Sequence, residues 1–220
     1  MEKPIDNMTG LIAGSELYPE MDALIAKNAE FALVFIDIDM LFALNRDYGH
    51  AAGDAVILTV AKYARKYFPE PCMAFRDTRD EFIMLVPGGG KEEAFLKAEQ
   101  LRRSVCEEKL DFTSEDGRPL TQSVSVGVAS YPEDGSRPAD VYRRADSAMI
   151  RAKKSGRNTV CLAREEKLSP KTSHYTQAQL EKLSIVSENL NVGEAALLRE
   201  ALDDLLKKYD VDEVMKKHIN

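Results

Sequence analysis

A near-continuous apolar run, Phe31 to Ile38, constrains the fold of this chain more than any other segment. A run of this length is typical of a strand that is covered on both faces. Such a strand needs helices on both sides of its sheet, which predicts an α/β layer architecture. Asp37 lies near the end of the run, so a carboxylate is expected at the C-terminal end of this strand.

The surrounding patterns predict the other layers of this domain. Cys72 to Arg76 and Phe82 to Val86 read as two short strands around the Asp77-Thr78 turn, which is typical of an antiparallel hairpin. Further segments are predicted as a helix around residues 55–64, a helix from Lys91 to about Glu107, a strand at 124–128, a helix from Ala139 to Lys154 and a strand from Thr159 to Leu162. The order indicates a mixed sheet flanked by helices.

A second, smaller module follows a polar linker. Residues 165–170 form the predicted linker and end in Ser169-Pro170, so we expect domains at residues 1–164 and 171–220. Thr176 and Gln179 have the spacing of a helix-capping box. Two helical stripes of apolar residues follow on either side of a break at residues 191–193, which predicts a small helical module.

Composition excludes several classes of protein. The net charge of −7 argues against a nonspecific surface for nucleic-acid phosphates. No apolar stretch reaches the roughly 18 residues of a membrane span, and the N-terminus lacks the features of a signal peptide. The 3 cysteines have no metal-type spacing and are expected to be thiols in the reducing cytoplasm.

Several short motifs identify a family resemblance. The chain contains Phe35-Ile-Asp-Ile-Asp39, Tyr48-Gly-His50, Gly53-Asp54 and Thr78-Arg-Asp-Glu-Phe82. Together with Asn45 they resemble the GGDEF domain of diguanylate cyclases over residues 5–163. The resemblance implies a palm-like central mixed sheet, as in nucleotidyl cyclases, and the condensation of two GTP molecules into cyclic di-GMP in bacterial signalling.

The resemblance also assigns a metal site. It implies that Asp37, the main-chain carbonyl of Ile38 and Asp80 bind Mg²⁺, and that Asp80 and Glu81 are the catalytic acids of the signature loop. Oxygen ligands of this kind suit Mg²⁺. The alternative is that acids at strand ends are solvated turn residues.

The nucleotide contacts are implied in the same way. Asn45 and Asp54 match residues that hydrogen-bond guanine, while Lys153 and Arg157 match a phosphate-contacting motif. An amide and a carboxylate complement the acceptor and donors of guanine. The alternative for Asn45 is a turn residue and that for Asp54 is a helix cap. The alternative for Lys153 and Arg157 is a basic helix end that interacts with the helix dipole.

Three departures from the family pattern bear on activity. Thr78 and Arg79 replace the two glycines of the signature loop, and Thr78 is expected to be strained if the turn needs a positive φ. Arg79 can instead reach phosphate. Phe42 stands where a phosphate-contacting lysine is expected, and the segment Pro69-Glu-Pro-Cys72 lacks the Arg-x-x-Asp motif of the product-inhibition site.

The C-terminal module resembles a ribbon-helix-helix unit, a dimeric fold whose paired strands can enter the DNA major groove. Lys171, Ser173 and Tyr175 are then the candidate DNA-binding residues. Residues 165–220 contain 8 Lys/Arg and 11 Asp/Glu, a net charge of about −3, which is unlike most DNA-binding modules. A helical hairpin for self-association or partner docking is the alternative.

Three functions remain open from the sequence. The first is a degenerate GGDEF domain that binds GTP or a related guanine nucleotide with Mg²⁺, has weak or no cyclase activity and acts as a regulator, as a homodimer. The second is an active diguanylate cyclase. The third is a ribbon-helix-helix transcriptional regulator whose GGDEF-like domain is a scaffold.

Overall fold

The computed structural model describes residues 3–164, 172–190 and 193–208. The chain divides into two compact units, residues 1–166 and 167–220. The strands of the first unit are β1 (Ile12–Ala13), β2 (Phe31–Ile38), β3 (Met73–Arg76), β4 (Glu81–Pro87), β5 (Val124–Tyr131) and β6 (Val160–Leu162).

The helices of the first unit are α1 (Leu17–Ala26), α2 (Leu41–Tyr48), α3 (His50–Tyr67), α4 (Lys91–Glu107) and α5 (Pro138–Lys154). The sequence patterns predicted a helix only around residues 55–64, within α3, and did not predict α2. Gly49, at φ 86°, divides them with a backbone conformation that favours glycine. No helix in the described ranges is long and apolar enough to cross a membrane.

The described strands form one mixed sheet in the order β1-β3-β4-β2-β5-β6. β2 lies at its centre and pairs antiparallel with both β4 and β5. β3 and β4 form the predicted antiparallel hairpin, while β1 pairs parallel with β3 and β6 parallel with β5. The predicted fold class is therefore confirmed.

The alternation of side chains along β2 separates two apolar cores. Val34 and Ile36 face a core that includes residues of α3 and α4. Leu33 and Phe35 face the other core, with residues of α1 and α5. All eight residues of β2 are buried, as expected for a strand between two helical layers.

The second unit contains α6 (Gln177–Leu190) and α7 (Glu194–Lys208). The capping box is present: the Thr176 main-chain N–H donates to Gln179 Oε1 at 2.9 Å, and the Gln179 N–H donates to Thr176 Oγ1 at 3.3 Å. Residues 172–176 are exposed and form no strand in the described part of the module. The predicted linker at 165–170 lies outside the described residues.

Candidate functional site

The predicted metal ligands meet where β2 and β4 pair. Asp37 on β2 is directly opposite Glu81 on β4. The main-chain N–H of Ile38 donates to the Asp80 carbonyl oxygen at 3.1 Å. The sheet register thus brings Asp37, Ile38, Asp80 and Glu81 to one edge of the domain.

Lys153 extends from α5 into this acidic cluster. Its Nζ donates to Asp37 Oδ2 at 2.8 Å. Burial raises the pKa of Asp37 to about 7, Lys153 opposes the rise, and the charges of Asp80 and Glu81 add to it. Burial lowers the pKa of Lys153, but Asp37, Asp80 and Glu81 together raise it, so the net shift is upward.

The signature loop does not adopt the strained turn that its sequence suggests. Neither Thr78 nor Arg79 is among the described residues with positive φ, so the expected strain at Thr78 is wrong. The Thr78 hydroxyl instead donates to Glu81 Oε2 at 2.9 Å. Burial raises the pKa of the Glu81 carboxyl, and the Thr78 hydrogen bond opposes that rise.

The half-buried Arg76 supports the signature loop through hydrogen bonds. Arg76 donates through Nη1 to Asp6 Oδ1 at 3.0 Å and through Nη2 to the carbonyl oxygen of Arg79 at 3.0 Å. It therefore connects the N-terminal turn to the signature loop. The sequence patterns did not reveal this role, because a charge partner 70 positions away leaves no local signal. The side chain of Arg79 is exposed.

The donor set fits Mg²⁺ on its chemistry. Proteins commonly hold Mg²⁺ by one or two carboxylates and leave the remaining positions to water and substrate phosphates. Asp37 and Asp80 supply two carboxylates, and the raised pKa of Asp37 shows that its buried anion is incompletely compensated. Within the described ranges, no group of three or more Asp, Glu, His or Cys side chains converges to hold a metal ion, so Mg²⁺ would depend on the substrate phosphates and water for most of its ligands.

The candidate base-binding residues lie in helices. Asn45 is inside α2 and Asp54 inside α3, so the alternatives of a turn residue and a helix cap are wrong. The Asn45 side chain lies against Gly53, the neighbour of Asp54. Asn45 Oδ1 is buried and has no hydrogen-bond partner among the described residues. The fold therefore gives this amide oxygen no donor of its own.

The turn after α5 carries Arg157 in an uncommon conformation. Gly156, Arg157 and Asn158 have φ values of 108°, 66° and 44°. Asp39 holds this turn by accepting the main-chain N–H of Asn158 at 3.1 Å. The exposed Arg157 side chain makes no hydrogen bond or ion pair with the acidic cluster in the described part of the chain. Lys153 and Arg157 therefore occupy different positions, one in the cluster and one at its border.

Asp39 makes structural contacts next to the candidate site, and the sequence patterns did not assign it a role. Its buried carboxylate also accepts hydrogen bonds from Ser123 Oγ at 2.7 Å and Ser125 Oγ at 2.6 Å. One side chain thus joins the end of β2, the start of β5 and the turn after α5. The signal was present in the Asp-x-Asp spacing, because both acids lie at the end of the same strand.

Phe42 sits in the first turn of α2, three residues after Asp39, and its surface is 84% exposed. Met40, at φ 58°, is exposed just before it. A large apolar surface therefore stands at the position where the family resemblance implies a cation.

The candidate DNA-binding residues belong to the second unit. Ser173 and Tyr175 are exposed in the segment before α6, and Lys171 lies outside the described residues. The ribbon of such a module needs a second strand for its backbone hydrogen bonds, which a partner copy supplies.

Comparisons with known proteins agree with this architecture. The sequence model of the family described as "Diguanylate cyclase, GGDEF domain" matches residues 4–159. The model described as "Ribbon-helix-helix domain" matches residues 168–210.

One relative is Diguanylate cyclase A of Treponema denticola, which is 34% identical over 138 residues, covering 63% of this chain and 36% of that protein. The chain spans between 19% and 38% of the length of the curated relatives first matched.

Two solved structures extend the comparison to the backbone. The active GGEEF domain of a diguanylate cyclase from Vibrio cholerae superposes with a TM-score of 0.63 at 28% identity, covering 71% of this chain and 99% of that chain. The second structure is the coiled coil and GGDEF domain of DgcB from Caulobacter crescentus, in complex with c-di-GMP. It superposes with a TM-score of 0.63 at 26% identity, covering 72% of this chain and 85% of that chain.

Proposed function

The chain belongs to the GGDEF domain family of diguanylate cyclases, and from this premise we propose that its first unit binds GTP or a related guanine nucleotide with Mg²⁺ and acts mainly as a regulator. Cyclase activity is weak or absent in this proposal. The supporting observation is a contrast within one site. The register of β2 and β4 brings Asp37, Asp80 and Glu81 together, while an exposed Phe42 stands where the family pattern has a lysine.

Mg²⁺ bound with the nucleotide neutralises phosphate charge and polarises the oxygen atoms of the reacting groups. Asp37, the Ile38 carbonyl and Asp80 would hold it. Lys153 places a positive charge 2.8 Å from Asp37 Oδ2, where a triphosphate would meet the cluster. Burial raises the pKa of Glu81, which lies opposite Asp37 at the same end of the paired strands.

The base is selected by different residues. The Asn45 amide oxygen lacks a donor in the described structure, and guanine offers N–H donors at N1 and N2. Asp54, exposed next to Gly53 on α3, adds an anionic acceptor. Two acceptors favour guanine over adenine, because the Watson–Crick edge of adenine offers fewer donors to them.

Weak turnover follows from how phosphoryl transfer is catalysed. Positioning and charge stabilisation supply most of the rate enhancement in such reactions. Phe42 cannot provide charge, and Arg79 puts a long, exposed side chain where the family has glycine. These changes should therefore reduce the chemical rate more than they reduce ground-state binding.

Calorimetric titration tests the binding proposal. GTP with Mg²⁺ should bind saturably to the full chain, and ATP should bind more weakly. Asp37→Asn is the matched control, because it keeps the shape of the side chain and removes its charge; it should lose the dependence on Mg²⁺. Absence of saturable GTP binding in the wild-type protein contradicts the proposal.

An active diguanylate cyclase is the second candidate. The Thr78 hydrogen bond to Glu81 favours it, because the altered loop is unstrained and still holds the signature acid. In that case two GTP-loaded domains must meet, and self-association through the C-terminal module would bring them together. Formation of cyclic di-GMP by the wild-type protein distinguishes this candidate from the first.

The ribbon-helix-helix match makes DNA a further proposed partner, with the nucleotide-binding domain as either a regulator or a scaffold. The exposed Ser173 and Tyr175 and the neighbouring Lys171 are the proposed contacts. A gel-shift screen with genomic fragments tests this. Fragment-specific binding that disappears on substitution of Lys171 and Ser173 supports DNA recognition, and no specific binding favours self-association or a protein partner.

A further inference from the structure

Gly53 occupies a position in α3 where a side chain cannot be added without moving Asn45. A Cβ built on Gly53 would lie 1.9 Å from Asn45 Oδ1 and 2.9 Å from Asn45 Cγ. Both distances are far below van der Waals contact, so the amide of Asn45 fills the volume that a Cβ would need. The missing side chain on α3 is thus what lets the Asn45 amide rest against that helix.

The Asn45 amide is held there by shape rather than by a hydrogen bond to its oxygen. Oδ1 is buried and accepts no hydrogen bond within the described part of the chain. A buried polar atom without a partner is costly to the fold, and such atoms are few in native proteins. A ligand donor would satisfy this oxygen, which must become accessible when the ligand binds because it is buried in the unliganded fold.

We propose that Gly53 is a positioning residue that determines base specificity by fixing the Asn45 amide. This inference rests on the proposed function, in which Asn45 recognises guanine. The absence of a Cβ at Gly53 sets how deeply the amide sits between α2 and α3, and this depth sets where its oxygen and nitrogen meet the base.

The backbone conformation of Gly53 allows a substitution that tests its positioning role without disturbing the fold. Gly53 lies within α3 and has no positive φ, so alanine suits its conformation and is the better helix former. The atoms that an added methyl group would meet belong to the end of one side chain and not to main chain. Gly53→Ala should therefore preserve the fold, or raise its Tm, while it displaces Asn45.

The experiment is a double-mutant cycle on the full chain. GTP and ATP affinities are measured for the wild-type protein, Gly53→Ala, Asn45→Ala and the double variant, with thermal unfolding of each. Gly53→Ala should weaken GTP binding by about tenfold, the cost of losing one good hydrogen bond, and should change ATP binding little. Its effect should vanish in the Asn45→Ala background, because Gly53 acts only through Asn45.

Two outcomes overturn the inference in distinguishable ways. If the wild-type protein binds GTP and Gly53→Ala binds it within about twofold, the positioning role is wrong and the proposed function stands. Equal losses of GTP and ATP binding, or a loss that persists in the Asn45→Ala background, also exclude the positioning role. If the wild-type protein shows no saturable GTP binding, the proposed function fails and the inference fails with it.

Discussion

Phe42 is an exposed apolar residue in the first turn of α2, at the position where the family pattern has a phosphate-contacting lysine. Its 84% exposure means that the fold gains little from it, so a substitution there reports on the ligand rather than on packing. Phe42→Lys should tighten GTP·Mg²⁺ binding by about tenfold at low salt, because a hydrogen bond to a charged group contributes about 1.5 kcal/mol or more. Calorimetric titration at two salt concentrations measures this.

The control for that substitution is Leu96→Lys, which adds the same charge to another exposed apolar position, on α4. It should leave GTP affinity unchanged. The gain from Phe42→Lys should shrink as salt rises, since exposed charges are screened. Equal gains for both variants would mean that overall charge, and not the local phosphate contact, controls affinity.

Asp37 should make ligand binding depend on pH. Its pKa is raised to about 7 by burial, so a proton competes with Mg²⁺ for the carboxylate below that pH. Apparent affinity for Mg²⁺ with GTP should therefore rise with pH and level off above about 7. The folded chain holds this proton to a higher pH than the unfolded chain, so the contribution of Asp37 to the free energy of unfolding should fall as pH rises from 3.8 towards 7.

Calorimetric titration of Mg²⁺ and GTP from pH 5.5 to 8.5 measures how the affinity depends on pH. Denaturant unfolding over a range of pH measures how the free energy of unfolding depends on pH. The terminal phosphate of the nucleotide also titrates near about pH 6, so Asp37→Asn is the necessary control. The pH dependence that remains in Asp37→Asn belongs to the nucleotide. Identical pH profiles for the two proteins would show that Asp37 does not titrate in this range.

At the scale of elements, β5 and α5 approach each other at Gly127. A Cβ there would lie 2.0 Å from the Ala145 carbonyl oxygen and 2.3 Å from the Met149 main-chain nitrogen. Since these are main-chain atoms, α5 must shift to admit even a methyl group. Gly127→Ala should lower the free energy of unfolding by about 3 kcal/mol, at the upper end of overpacking effects.

Chemical denaturation measures the free energy of unfolding of Gly127→Ala, and Gly90→Ala is the control. Gly90 has φ −78° and open space where a Cβ would be, so alanine is compatible with its backbone and surroundings. A loss below about 0.5 kcal/mol for Gly127→Ala, as at ordinary surface sites, would contradict the close packing of α5 on β5.

Asp39 links three elements and thereby sets the position of Arg157. Asp39→Ala removes the acceptor for two serine hydroxyls and for the Asn158 N–H, so it should cost about 3 kcal/mol of stability. Asp39→Asn keeps an acceptor oxygen and should cost less. Denaturant unfolding measures both variants, and equal small losses would show that the turn after α5 is held by other contacts.

Sequence patterns predicted the elements that have strong local signals. The limits of β2 and α4 follow from the apolar run at residues 31–38 and from the glycine break before Lys91. Helix α2 was missed, because it has only 8 residues before Gly49, whose positive φ ends it, and so short a helix gives little periodic signal. The contacts of Asp39 and Arg76 depend on partners distant in the chain, which no local pattern reveals.

At the scale of the whole molecule, the second unit presents apolar side chains without cover within its described residues. Ile185 on α6 is 58% exposed, and Leu190 and Leu202 are exposed as well. Several large exposed apolar side chains in so small a unit are typical of an interface, and the ribbon-helix-helix match favours a second copy of the chain as the partner. We therefore expect a homodimer that forms through residues 168–210.

Ile185→Asp should convert this dimer into a monomer, because burying an unpaired carboxylate in an interface is strongly unfavourable. Light scattering coupled to size-exclusion chromatography measures the mass. Leu96→Asp, at an exposed apolar position of the first unit, should leave the dimer intact. A wild-type monomer, or equal dissociation by both substitutions, would contradict self-association through the second unit.

Product analysis under saturating nucleotide decides between a regulator and an enzyme. The wild-type protein is incubated with Mg²⁺ and GTP, at a concentration where calorimetry shows the site to be filled, and cyclic di-GMP is measured by chromatography beside Asp80→Ala. We predict saturable GTP binding with little or no product. Abundant cyclic di-GMP from the wild-type protein that disappears in Asp80→Ala would contradict the regulatory proposal and identify an active cyclase with a Thr78-Arg79 loop.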